Sequence, residues 1–398
     1  MAGNSTLISE KLDQAVAILR EQDVDCWMTF VRETSLAPDP SLGLILDMDM
    51  VWQSAFLITR DNQRIAIVGK HDAQNIEETG AYTQVIPYVQ GIRDDLVTTL
   101  RTLNPARVAV NYSLNDVAAD GLGHGLMMLL QQHLAGTGFI ERLISAEKIV
   151  GALRGRKSPS EITRIRTAIA TTETIYQSVT ATIKPGDSET EIAARFHRHV
   201  MEQRLGTSWD WQYCPTVNAG PDSPVGHVAP MERYKVGPGM LIHMDFGVKQ
   251  DEYCADLQRV VYVRRPGEKE APPEVRQGFE AARQALLAGV EALKPGAQGW
   301  QVDAAARAKL VDLGYPEYQH AFGHHLGRSA HDGATVLGPR WERYGDTPHG
   351  VIEVGNVFAV ELGFELPGYG YIACEENVLV GEDGAEWLST PQEEVWLR

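Results

Sequence analysis

Two segments of this chain place acidic residues inside runs that otherwise read as buried strands, and nothing else in the sequence constrains the fold as strongly. The first, LIHMDFGVKQDEYCADLQRVVYV (241–263), has strand-like runs on either side of the polar turn Lys249-Gln250-Asp251-Glu252. A turn centred between Gln250 and Asp251 sets Asp245 directly opposite Asp256. The second, VFAVELGFELPGYGYIACEENVLV (357–380), turns at Pro367-Gly368-Tyr369, and a centre at Gly368 sets Glu361 opposite Glu375. Directly paired residues have Cβ atoms about 4.5–5.5 Å apart, where like charges repel. The neighbours Phe246, Val360, Leu362, Cys374 and Val378 read as buried, and a buried carboxylate is costly unless paired or metal-bound. A cation between the members of each pair converts the penalty into a binding site. Register matters for the last member: sliding the second turn by one residue pairs Glu376 instead. Strand alternation lets only one of Glu375 and Glu376 face the cluster.

A repeated scaffold around the two hairpins is also legible. IKPGDSETEIAARF (183–196) and LKPGAQGWQVDAAA (293–306) share Lys-Pro-Gly and the aliphatic and Ala positions that follow, so a Pro-Gly turn leads into a helix in each copy. Upstream, Ser158 reads as an N-cap, Pro159 as the first helical residue and Glu161 as the partner in a capping box, which predicts a long helix to about Ile183. A domain boundary just before that helix divides the chain into 1–150 and 151–398. The first part reads as an α/β domain. Leu7, Leu12, Val16 and Leu19 recur at helical spacing and VDCWMTF (24–30) reads as a buried strand. SAFLITR (54–60) and RIAIVG (64–69) form a hairpin about Asp61-Asn62, VAVN (108–111) is a strand, and the apolar run near 121–134 is a helix. It holds no catalytic cluster of its own.

Bulk properties narrow the function. A chain of 398 residues needs two or three domains, and 43% hydrophobic with 22% charged residues is a soluble globular composition. The net charge of −17 argues against nucleic acid or an anionic membrane as a standing partner. No stretch approaches the ~18 uninterrupted apolar residues of a membrane helix. The start, MAGNSTLISEKL, lacks the basic and apolar parts of a secretory signal, and Cys26, Cys214, Cys254 and Cys374 lack zinc or disulfide spacing. The expectation is a reduced, cytoplasmic setting.

Most of the 12 histidines lie between 227 and 349, and FGHHLGRSAHDG (322–333) sets His324 and His331 among glycines, where backbone can approach a ligand closely. Asp245, Asp256, His324, Glu361 and Glu375 make a hard, oxygen-rich set suited to Mn²⁺, Mg²⁺ or Co²⁺, with Zn²⁺ possible. Two ions about 3.5–4 Å apart can share a hydroxide and polarise a carbonyl under attack. His243 shares the strand parity of Asp245 and reads as a supporting residue rather than a ligand.

From about 158 to the end, the sequence resembles the pita-bread metallopeptidases: Xaa-Pro aminopeptidases, prolidases (Xaa-Pro dipeptidases), methionine aminopeptidases and their creatinase relatives. Asp245 sits in Asp-x-Gly with Asp256 at the family spacing, and Gly323-His324-x-x-Gly327 with His331-Asp332 resembles the Gly-His-Gly-Ile-Gly and later His-Glu of that family. Glu361 and Glu375 match its two metal glutamates, and Val217-Asn218 followed by His227 resembles the segment bearing a substrate-contacting histidine. Two positions depart: Ala373 stands where the family often has Arg, and His325 replaces the middle Gly.

The resemblance implies an α/β amino-terminal domain followed by an α+β pita-bread (creatinase/aminopeptidase-like) catalytic domain. It implies two divalent ions, Mn²⁺ foremost with Co²⁺ or Zn²⁺ as alternatives, a small peptide substrate and a homodimer. The amino-terminal domain argues against methionine aminopeptidase. The expected reaction is hydrolysis of the bond preceding proline in Xaa-Pro dipeptides, with an Xaa-Pro aminopeptidase as the alternative; a creatinase-like hydrolase and a metal-free peptide-binding module are further options that an intact ligand set disfavours. In this reading Glu361 is the general base, His227 and His331 contact substrate and stabilise the oxyanion or leaving group, and Arg328 clamps a substrate carboxylate or forms an ion pair with Asp332 or another acid. Trp209, Trp211 and Tyr213 are read as core rather than as the wall of a proline pocket.

Overall fold

The computed structural model describes residues 2–226 and 228–398. The chain divides between Arg154 and Gly155 into two compact units. Among the described residues no helix is long and apolar enough to cross a membrane, and the four cysteines are buried free thiols.

The first unit is a mixed sheet covered on both faces. Its strands are β1 (Cys26–Val31), β2 (Ser54–Thr59), β3 (Arg64–Gly69), β4 (Gln84–Tyr88), β5 (Val108–Val110) and β6 (Leu143–Ser145), in the order β4-β3-β2-β1-β5-β6. Every residue of β1, β2 and β3 is buried, which is why these strands read as unbroken apolar runs rather than alternating ones. Trp27, Val31 and Phe56 pack with Leu12, Ala15 and Leu19 of the helix Ala2–Glu21. Met28, Phe30 and Leu57 pack on the other face with Leu96 and Leu100 of the helix Arg93–Leu103 and with Leu130 of His124–Leu134.

The second unit contains the repeat. Its strands are β7 (Gly206–Thr207), β8 (Thr216–Ala219), β9 (Leu241–Phe246), β10 (Val248–Gln250), β11 (Tyr253–Cys254), β12 (Leu257–Tyr262), β13 (Gly323–His325), β14 (Val336–Leu337), β15 (Val357–Leu366) and β16 (Gly370–Val380). The main sheet runs β14-β13-β15-β16-β12-β9-β8. Read outward from its centre, β12-β9-β8 on one side matches β16-β15-β13 on the other, and β12 and β16 meet antiparallel. That is the strand order of a two-fold duplication. Each half begins with the predicted punctuation: Gly186 (φ +94°) and Gly296 (φ +87°) take the left-handed turn. Capping boxes Ser188–Glu191 and Gln298–Gln301 then open the helices Glu189–Glu202 and Gly299–Asp312. The helix Pro159–Thr180 likewise starts on the Ser158–Glu161 capping box with Pro159 in its first turn.

Alternation along the central strands separates a packed face from an acidic one. Phe358, Val360, Leu362 and Ile372 join Phe279, Ala282 and Leu286 of the helix Pro273–Ala292 in one core. Beneath the first hairpin, Phe196 and Phe246 meet at 4.6 Å between ring centroids. Asp245, Glu361 and Glu375 fall on the opposite parity.

Glu376 does not, and it is neutralised on the packed face by Arg259 at 3.0 Å. Arg259 also donates to the carbonyls of Gln258 and Glu375, so it staples β12 to β16 from behind. Arg259→Leu is expected to leave the Glu376 carboxylate buried without its cation and to cost about 3–5 kcal/mol. Urea denaturation reads this as a lower midpoint at unchanged slope; an unchanged midpoint would mean that Ser389 and Gln392, which also bond Glu376, suffice alone.

Candidate metal centre

The two hairpins deliver their acids differently. In the second, Glu361 pairs directly with Glu375, the register that a turn centred at Gly368 predicts. In the first, Asp245 pairs with Gln258 and not with Asp256. The expected register is off because the turn lies one residue later, at Asp251 (φ +49°) and Glu252 (φ +70°). The ladder also breaks at Gly247, where a Cβ would stand 1.7 Å from the Ala255 carbonyl oxygen. Only glycine tolerates that approach, which accounts physically for the Asp-x-Gly pattern. Asp256 therefore lies just outside β12. Its backbone groups are satisfied by Asn377: the Asn377 amide donates to the Asp256 carbonyl at 2.7 Å and accepts from the Asp256 N–H at 3.2 Å.

The shift of register does not scatter the acids. The carboxylates of Asp245 and Asp256 still act directly on one another's protonation. Asp256, His324 and Glu375 each offer a ligand atom within 4.8 Å of the others'. His324 Nε2 lies 3.9 Å from Asp256 Oδ2, while its Nδ1 faces the carbonyls of Ala330 (3.1 Å) and His325 (3.4 Å). A proton on Nδ1 satisfies those carbonyls and leaves the Nε2 lone pair directed at the acids. Asp256 and Glu375 are buried, whereas Asp245, His324 and Glu361 keep partial exposure, so the cluster is closed below and open on one side.

Electrostatics decide what the cluster can hold. Burial, followed by the neighbouring carboxylates, lifts Asp245, Asp256 and Glu375 well above the usual carboxylate range. Burial pushes Glu361 up to about 7, against hydrogen bonds from Gln258 and Tyr318. Burial, then His331, pushes His324 down to about 3, so its imidazole is neutral at physiological pH. Asp245 Oδ1 and Glu375 Oε2 are buried without a hydrogen-bond partner. Four crowded carboxylates, two orphaned oxygens and a neutral imidazole lone pair are a poor arrangement alone and fit divalent cations, which satisfy the oxygens and cancel the repulsion.

Of the other residues singled out in the sequence, His331 is exposed and sets its ring edge-on to His324 at 4.3 Å. His227 lies outside the described residues. Arg328 is paired with Glu252 at 3.1 Å and lies over the Tyr253 ring, so its acid partner is in the β10–β11 turn. Asp332 belongs to Lys157, at 2.8 Å in a buried pair. The expectation of core for the 209–213 aromatics fails: Trp211 and Tyr213 are 43% and 38% exposed, because Trp211 stacks outward on His197 at 3.9 Å. Sequence reasoning missed Gln258, Asn377 and Tyr318. Amides and a phenol carry no metal-ligand spacing, and only the parity shared by Asn377 and Glu375 marked one of them.

Acids converging on an imidazole from both halves of a duplicated sheet make a candidate metal centre. Residues 163–382 match metallopeptidase family M24, and the chain belongs to that family. The Xaa-Pro dipeptidase of Lactobacillus helveticus is 29% identical over 233 residues, 58% of this chain and 59% of that protein, so the match spans less than two thirds of the relative. In fold, an Xaa-Pro dipeptidase from Bacillus anthracis superimposes with a TM-score of 0.75 at 21% identity, covering 98% of this chain and 100% of that one. An X-Pro aminopeptidase from Thermotoga maritima gives 0.70 at 22% identity, over 97% and 99%. The α/β amino-terminal domain followed by a pita-bread domain is thus the architecture, and dipeptidase and aminopeptidase share it.

Proposed function

We propose that this chain is a dinuclear metal-dependent peptidase that hydrolyses the bond preceding proline, with Xaa-Pro dipeptides as its substrates. The observation that carries the reading is the pair of orphaned buried oxygens on Asp245 and Glu375 beside the neutral His324. Similarity to Xaa-Pro dipeptidases supports the substrate class. Asp245, Asp256, His324, Glu361 and Glu375 would hold two ions, Mn²⁺ in our reading and Co²⁺ or Zn²⁺ in its place. Such ions supply an activated water and polarise the scissile carbonyl.

Glu361 takes up the proton released in the attack, its carboxylate oriented by Gln258. His227 and His331 hydrogen-bond the substrate and stabilise charge on the carbonyl oxygen or leaving nitrogen. Arg328 clamps the dipeptide carboxylate, for which it leaves Glu252. A cytoplasmic homodimer completes the proposal; the four free thiols support a reducing compartment.

The test is a paired assay with Mn²⁺ of Xaa-Pro dipeptides against Xaa-Pro-Yaa tripeptides. Dipeptides are expected to give the higher kcat/KM, and Arg328→Ala to raise the dipeptide KM. Turnover of tripeptides alone would replace the dipeptidase reading with an aminopeptidase, and an unaltered KM in Arg328→Ala would remove the clamp.

A further inference from the structure

Glu361 is oriented by a chain of neutral side chains that begins in the other half of the repeat. Gln258 Nε2 donates to Glu361 Oε2 at 2.8 Å. His243 Nε2–H donates to Gln258 Oε1 at 2.8 Å; a neutral His243 then carries no proton on Nδ1, so its 2.9 Å approach to Asn218 Oδ1 is a packing contact and not a second hydrogen bond. Asn218 Nδ2 donates in turn to the Pro224 carbonyl at 2.7 Å. Gln258, His243 and Asn218 are all buried. The hydrogen bonds therefore run from Glu361 through β12 to β9, with Asn218 of β8 packed behind His243.

The position of Gln258 is set by the duplication. It faces Asp245 across β9–β12 as Glu375 faces Glu361 across β15–β16, and it faces Glu375 itself across β12–β16. The repeat thus carries an acid at one of these equivalent sites and an amide at the other. An amide does there what a carboxylate cannot: it donates to Glu361 through its NH₂ and offers its oxygen to His243. An ionised carboxylate only accepts, so the sense of the amide is fixed by Glu361, and His243 resists its rotation.

We propose that Gln258, itself held by His243, is a positioning residue for the reaction, which fixes the orientation of the Glu361 carboxylate through Oε2. This rests on the role assigned above to Glu361.

The test uses the full chain as Gln258→Met, which keeps the volume and removes the donor, and as Gln258→Glu, which keeps size and polarity and replaces the donor by an acceptor should the Met variant fold poorly. With Mn²⁺ loaded, kcat on an Xaa-Pro dipeptide is expected to fall about 10–100-fold while KM moves less than roughly threefold. Calorimetry is expected to give the wild-type Mn²⁺ stoichiometry. Loading with Co²⁺ gives a readout independent of turnover: the visible absorption band of the variant is expected to shift, because one ligand carboxylate has changed orientation. A band coincident with wild type, or a lost ion, overturns the positioning role whatever the activity. A wild-type enzyme that cleaves no Xaa-Pro peptide while its Co²⁺ band still shifts on substitution would instead overturn the proposed function.

Discussion

Exhaustive chelation at neutral pH is expected to abolish hydrolysis and to lower the melting temperature together, with both restored by Mn²⁺. The physical reason is that Asp245, Asp256, Glu361 and Glu375 are crowded acids whose folded values lie above their unfolded ones. Such groups contribute stability below the unfolded value of about 4, and that contribution is lost as pH rises through the folded values. For Glu361 the loss accumulates up to about 7, and for the other three the folded values stand well above the usual range, so their loss continues further. Buried His243, His324 and His325 have the opposite sign, being shifted down to about 4, 3 and 3. Their stability is present above an unfolded value of about 6.5 and lost only on acidification below it.

The clean window is therefore neutral to alkaline, where the histidines contribute no slope. There the metal-free protein should lose melting temperature with rising pH, while the loaded protein should not, because cations have replaced the protons. An ion present at 100 times its Kd adds about 2.7 kcal/mol. Thermal melts from about pH 7.5 to 9, with and without Mn²⁺, make the comparison. Full activity in protein shown by elemental analysis to hold no divalent metal would end the proposal of a metal centre.

The second large effect is expected from Glu361→Gln. The replacement is isosteric and its side-chain oxygen can still accept from Gln258, so the fold and KM should survive. It cannot take up a proton, and kcat should fall about 10²–10⁴-fold. A kcat within roughly tenfold of wild type would move the base elsewhere. The same variant removes one crowded acid, so its metal-free form should lose less stability with rising pH than the wild type does.

How much of this was legible in the sequence depended on how local the determining chemistry is. The capping box at Ser158 could be read because a side chain and a backbone N–H three residues away settle it. The Glu361–Glu375 register could be read because Pro367-Gly368 offers one turn between two long apolar strands. The first hairpin was harder. Four consecutive polar residues offer several centres, and the positive φ of Asp251 and Glu252 falls on residues that do not demand it. The close approach at Gly247 depends on Ala255, which periodicity does not detect. Gln258 and Asn377 were invisible for a different reason: their work is hydrogen bonding to acids and backbone, which leaves no charge pattern or ligand spacing.

The meeting of β12 with β16 has a consequence for how the protein fails. Neither half of the duplication owns the candidate centre, since Asp245 and Asp256 come from one and His324, Glu361 and Glu375 from the other. Parting the two halves by even a small slip along that seam would dismantle the chemistry while leaving each hairpin intact. Activity is thus a sensor of closure at the seam, and inactivation under heat or denaturant can run ahead of any loss of helix or strand.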